Sequence, residues 1–277
     1  MKLSFLTLAT LSVLGTLPLL AQTTEAPKAD WTLAGNAGLS SDYRFRGFTQ
    51  TGYQPAFQGG FEVAHKSGFY AGNWNSNVEQ ALYRGATLEM DLYGGYKFEA
   101  AGVGVDLGAI TCRYPTRADT GNLGAIHHDE LYLGLSYAFM SAKFSYGLSN
   151  YFGLGDGTTV STKGNCYLDL SATRDLGHGW GINAHYGHQS IRNATDPVIG
   201  LKDLAVDDYK LGVTKDLKGW VLAASYIGTS RKDTFTTGVS APVVEFQSNT
   251  ERVPLSPPTI SRAPDGVNAS ARGLPKV

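Results

Sequence analysis

The run "DELYLGLSYAFM", residues 129–140, alternates strictly. Leu131, Leu133, Leu135, Tyr137 and Phe139 fall on one face, and Glu130, Tyr132, Gly134, Ser136 and Ala138 on the other. Successive side chains of an extended strand point to opposite sides, so this is a strand with one apolar and one polar face. "TLEMDLYGGYKF" (87–98) repeats the pattern, with Leu88, Met90, Leu92, Tyr96 and Phe98 against Glu89, Asp91, Tyr93 and Lys97. "AFQGGFEVAH" (56–65), "WGINAHYGHQ" (180–189) and "YKLGVTK" (209–215) do so more weakly. Roughly eleven such runs lie between residues 31 and 229, most near the 9–11 residues that a tilted membrane strand needs.

The connectors alternate as well. "KSG" (66–68), "EAAG" (99–102), "MSA" (140–142), "LGHG" (176–179) and "LKG" (217–219) are tight. Between them stand long polar stretches, at 42–54, 78–85, 113–127, 152–164 and 192–207. Short and long in strict succession is the plan of an outer-membrane barrel, with short periplasmic turns and long outer loops. A water-soluble sandwich has no reason to gather its long loops at one end. In lipid every backbone N–H and C=O must be paired, so only helices or closed barrels cross. No later run reaches the length of a transmembrane helix. The expected fold is all-β: a transmembrane, antiparallel, up-and-down barrel of about twelve strands, the even number that single-chain bacterial barrels use.

Composition fits this plan. Gly contributes 34 of 277 residues, Tyr 15 and Phe 12, while charged residues are 17% and the net charge is −1. A nucleic-acid partner would require a basic stripe, and there is none. The start reads as an export signal at 1–21, with Lys2 before the apolar run "LSFLTLATLSVLGTLPLL". Residues 22–30 are expected to be a flexible lead into a barrel over 31–247, whose last strand can come only from "VVEFQ". Six of the 11 prolines follow Phe235, namely Pro242, Pro254, Pro257, Pro258, Pro264 and Pro275. Pro removes ladder donors, so 248–277 is expected to be a disordered, atypical tail. Both a replaced chain end and a divergent tail that still closes the barrel remain open.

On the inner face the expected lumen-lining acids are Glu62, Glu89, Asp91, Asp106, Glu130 and Asp169. Lys97, Lys143 and Lys210 share that side. They can pair across strands and fill a narrow lumen, or line a conducting path. Tyr43, Arg44, Phe45 and Arg46 are expected at a loop or interface. There aromatics suit the membrane boundary, and arginines suit headgroup phosphates or the watery mouth. In "HHDE" (127–130) only His127 with Asp129, or His128 with Glu130, could share an ion, and no third ligand is evident, so no metal is expected. His178, His185 and His188 point three ways. No G-x-S-x-G elbow marks a nucleophile, so no catalytic residue is assigned and no enzyme is expected. Cys112 alternates inward and Cys166 outward, which argues for two free thiols. No cofactor is implied.

"SDYRFRGFTQTGYQPAFQGGFEVAHKSGFYAGNWNSNV" (41–78) resembles the N-terminal signature of the TorF family of porins. "LEMDLYGGYKF" (88–98), "DLGHGWGINAHYGHQ" (175–189) and "DDYKLGVTKDLKGW" (207–220) also fit it. The resemblance spans about 31–229 and implies a porin-like barrel of about twelve strands, without a known substrate or catalytic residues. Family members end in a strand with a terminal aromatic residue, from which this chain departs. The expected function is a passive channel for small hydrophilic solutes in the bacterial outer membrane. The alternative is a non-conducting barrel with a binding or structural role through its extracellular loops. The expected partners are outer-membrane lipid, the barrel assembly machinery and the solutes.

Overall fold

The structure is a computed structural model that describes residues 29–115, 125–194, 203–230, 241–248 and 252–255. The expected signal segment at 1–21, residues 22–28 of the lead and the tail from 256 lie outside the described residues. Residues 29 and 30 are in place, with Asp30 paired to Lys66 at 2.6 Å.

Fifteen strands are described. β1 (Trp31–Ser40) is followed by a small inserted hairpin, β2 (Arg44–Phe45) and β3 (Phe48–Thr49). Then come β4 (Ala56–His65), β5 (Phe69–Asn77), β6 (Leu88–Ala100), β7 (Val103–Arg113), β8 (His127–Tyr137) and β9 (Met140–Gly147). β10 (Cys166–Gly177), β11 (Trp180–Arg192), β12 (Asp203–Asp216), β13 (Trp220–Thr229), β14 (Ala241–Ser248) and β15 (Arg252–Leu255) complete them. From β1 through β4 to β14 each strand pairs antiparallel with the next along the chain, and β14 returns to β1 through Gly38–Gln247, Leu39–Phe246 and Ser40–Glu245. The sheet is therefore closed. β14 and β15 share the twelfth position: β14 covers one end of β1 and β15 the other, from Ala34–Arg252 to Trp31–Leu255.

Closure follows from the sequence pattern. Along the strands an apolar belt points outward: Phe57, Leu92, Leu133, Tyr137, Phe144 and Leu211 are all 40% exposed or more. Such a belt is costly in water and favourable in lipid. Aromatic rings cluster at the short-turn rim, where Phe69 packs on Tyr96 at 4.8 Å and Trp220 stacks on Phe246 at 4.7 Å. Amphipathic rings gather at this depth in membrane barrels. The barrel is thus a transmembrane one. Among the described residues no helix is long and apolar enough to cross a membrane.

The inner face explains the Gly and Tyr content. Tyr132 lies over Gly108 on the neighbouring strand, and Tyr93 over Gly72; a Cβ at either glycine would sit within 2.5 Å of the ring atoms. In a narrow barrel a large inward ring needs a bare neighbour. The tight turns use backbone that favours Gly: Ala101 and Gly102 both have positive φ, as a two-residue type I′ hairpin requires.

Three expectations are corrected. The third tight turn is Ala138–Phe139, because "MSA" already belongs to β9. β12 begins at Asp203, inside the stretch expected to be loop, since Leu204 and Val206 are buried against Ile191 and Ala194. Residues 252–255, placed in a disordered tail, form a strand with β1. Pro254 is tolerated there because β1 is the one strand that β15 pairs with among the described residues.

Candidate functional site: a lumen crossed by the first loop

The connector between β1 and β4 does not lie on the membrane surface. It turns inward as the β2–β3 hairpin and crosses the lumen. Tyr43 sits against Trp74, and its hydroxyl donates to Glu89 Oε1 at 3.1 Å. Burial, with the Glu89 carboxylate second, holds that hydroxyl far above the usual tyrosine range, so it stays a donor. Arg44 is tied to Asp42 at 2.5 Å and donates to the Gly47 carbonyl at 3.1 Å.

Arg46 reaches furthest. Its Nη2 donates to both oxygens of Glu130 on β8, at 2.7 and 2.8 Å, and its Nη1 donates to Gln189 Oε1 on β11 at 2.5 Å. The guanidinium also lies over the Tyr167 ring, 4.1 Å from its centroid. Burial works against its charge, but the Glu130 carboxylate together with Tyr151 and Tyr167 more than offsets this and keeps the guanidinium protonated. Gly47, at φ +84°, abuts the opposite wall, where a Cβ would come within 2.8 Å of the Asp208 side chain. Phe45 packs on Phe152 of a single 3-10 turn, Tyr151–Gly153, in the loop between β9 and β10.

This overturns the headgroup reading of Arg44 and Arg46. Both side chains are enclosed, and their partners are acids of the protein itself. The alternation that separates inside from outside in a strand says nothing about where a loop turns. A signal was nonetheless present: two arginines among rings need carboxylates and aromatic faces, and the inner face offers both.

The nine inner-face candidates fall into four groups. Glu62 and Lys97 pair at 3.6 Å, with Lys97 over the Tyr70 ring. Asp106 accepts from Tyr70 at 2.6 Å, and the Tyr70 hydroxyl meets that of Tyr132 at 2.5 Å. Glu130, Lys143, Asp169 and Lys210 line one cavity of about 330 Å³ together with Arg46, His185, Asp208 and Glu245. Glu89 and Asp91 stand apart, deep beside Cys112.

Sequence reasoning missed the second hub. His185 lies 2.8 Å from Asp208 and 3.3 Å from Asp169, and Tyr167 donates to Asp208 at 2.9 Å. His178, His185 and His188 do point apart, but His185 draws its partners from neighbouring strands. His128 meets Glu130 at 2.9 Å, where Arg46 already takes the place of an ion. The outward pair His127 and Asp129 is 3.9 Å apart, with Arg113 on the same carboxylate. Both cysteines are free thiols, Cys112 buried and Cys166 partly exposed.

Together, the closed sheet, the apolar belt and the charged, loop-crossed interior define a narrow transmembrane β-barrel with a polar lumen. The family model described as a bacterial protein of unknown function (Gcw_chp) matches residues 24–253, and the chain belongs to that family. No curated protein matches it. Solved structures share its outline. A KdgM porin in complex with disordered oligogalacturonate is 8% identical, with 78% of this chain and 98% of that chain covered and a TM-score of 0.45. A NanC porin is 11% identical, with 78% and 97% covered and a TM-score of 0.48. Pseudomonas aeruginosa OccK2 in complex with glucuronate is 13% identical, with 82% and 69% covered and a TM-score of 0.41. The strand register of this chain, rather than these likenesses, carries the fold.

Proposed function

We propose that the protein is a narrow outer-membrane channel that passes small hydrophilic solutes down their gradient. The observation that carries this reading is the first loop inside the lumen. It narrows the barrel without filling it, and about 330 Å³ of space lined by both signs of charge remains beside Arg46. A barrel kept only as a scaffold could pack that space to the density of a protein interior. On this reading residues 1–21 direct export, the barrel assembly machinery inserts the chain, and lipid covers the apolar belt. The finer kinship with the TorF porins rests on the signature at 41–78. The reading is non-enzymatic, and a phospholipase or deacylase activity of the purified barrel would contradict it.

The alternative, a sealed barrel that binds through its outer loops, draws on the three anchors of Arg46. Single-channel recording in planar bilayers separates the two. The channel reading expects small, discrete conductance steps and uptake of small sugars by liposomes. A bilayer that stays sealed with correctly folded protein, verified by heat-modifiable gel mobility, would leave only the binding role.

A further inference from the structure

Among the described residues, five carboxylates are buried: Asp42, Glu89, Asp91, Glu130 and Asp208. Asp42 has Arg44, Glu130 has Arg46 and His128, and Asp208 has His185. Glu89 and Asp91 have no cationic partner among the described residues. They stand two residues apart on the inner face of β6, 1% and 8% exposed, and Asp91 faces Cys112 across the β6–β7 ladder. One donor atom from each of the three residues lies within 4.8 Å of the other two. Independently of that grouping, Glu89 Oε2 and Asp91 Oδ1 are buried with no hydrogen-bond partner. Two adjacent acids, each with one buried and unpartnered oxygen, are costly in an enclosed site unless something positive sits between them.

We infer that Glu89, Asp91 and Cys112 form a binding site for one divalent transition-metal ion of the zinc type. Two carboxylate oxygens and a thiolate are a donor set that zinc accepts, whereas calcium and magnesium take oxygen alone. A tetrahedral ion about 2.0–2.3 Å from each donor would space the donors by roughly 3.3–3.8 Å, so small side-chain rotations bring three donors within 4.8 Å to that distance. Binding displaces the Cys112 proton to solvent. A water would complete the tetrahedron, and the Tyr43 hydroxyl donates to Glu89, one of the three donors. The ion would sit between the wall of the barrel and the base of the inward loop, and would hold that loop down through Tyr43. This goes beyond the channel reading and stands whether or not the lumen conducts.

The chain has two cysteines, which makes the test direct. Cys166→Ser leaves Cys112 as the sole thiol; Cys166 faces outward and lies outside the site. Folded Cys166→Ser barrel in detergent is stripped with chelator and titrated with Co²⁺. The expected result is a thiolate-to-cobalt absorption band in the near ultraviolet, saturating at about one ion per barrel and displaced by Zn²⁺. Zinc content by mass spectrometry should reach the same ratio and fall in the Asp91→Asn barrel, with folding checked by gel mobility. Absence of the thiolate band in the folded Cys166→Ser protein overturns the site. So does equal metal content after Asp91→Asn, which would mean adventitious metal only. If Asp91→Asn fails to fold, the cobalt band alone decides.

Discussion

At the scale of the residue, Arg46 concentrates the behaviour of the lumen. It joins the first loop to β8 and β11 at once, through Glu130 and Gln189. Truncation to Ala leaves Glu130 buried with His128 alone, and a broken buried pair of this kind costs about 3 kcal/mol. Arg46→Ala should therefore lower the temperature at which the barrel loses its heat-modifiable mobility. It should also raise single-channel conductance, because the hairpin no longer holds its place across the lumen. Unchanged conductance with reduced stability would separate the clamp from the pore. Gly108 gives a second test. A side chain there meets the Tyr132 ring, so Gly108→Val should cost about 1–3 kcal/mol in denaturant titration of the folded barrel, as overpacking does. The inward direction of Glu130 and Tyr132 was legible from alternation alone. The path of Arg46 was not, because it depends on how a fifteen-residue connector, 41–55, bends in three dimensions.

Elements show where reading by periodicity succeeds and where it stops. β8 carries both faces in one short sequence, and its register with β7 pairs Leu133 with Leu107 on the lipid side. Leu133→Arg near the midplane should cost about 2–4 kcal/mol in folding into lipid, and Ser136→Arg on the inner face should cost clearly less. Equal costs would mean the faces are misassigned. β14 was visible only as a weak run, since Pro242 interrupts the pattern and Glu245 faces the lumen beside Lys210, 3.8 Å away. β15 was not visible at all. Its four residues have no strand signature of their own and are ordered by the free edge of β1. Deleting residues 252–277 should uncover that part of β1, leave it unpaired on one side, and lower the yield of heat-modifiable protein in lipid vesicles. An undiminished yield would show that β14 alone suffices.

For the whole molecule, the architecture was legible because lipid imposes one rule on every strand, apolar out and polar in, and the rule is written at a period of two residues. The site was less legible because it is assembled from strands far apart in the chain. Glu130, Gln189 and Asp208 meet around one loop only once the sheet has curved back on itself. The histidines illustrate this: taken along the chain they point apart, yet His185 finds Asp169 and Asp208 on the strands at either side.

The seam between β1 and the pair β14 and β15 has a kinetic consequence. Eleven pairings of the barrel wall join strands that follow one another around it and can form as local hairpins, each with a small loop-closure entropy. The seam joins ends of the chain about two hundred residues apart; the bond from Ala37 to the Ser248 hydroxyl spans 211 positions. Contacts of such long range are the slow ones in folding. Zipping of the hairpins should therefore run ahead of closure. The last event should be the meeting of the two chain ends, with a curved, open-edged sheet as the species that accumulates before it.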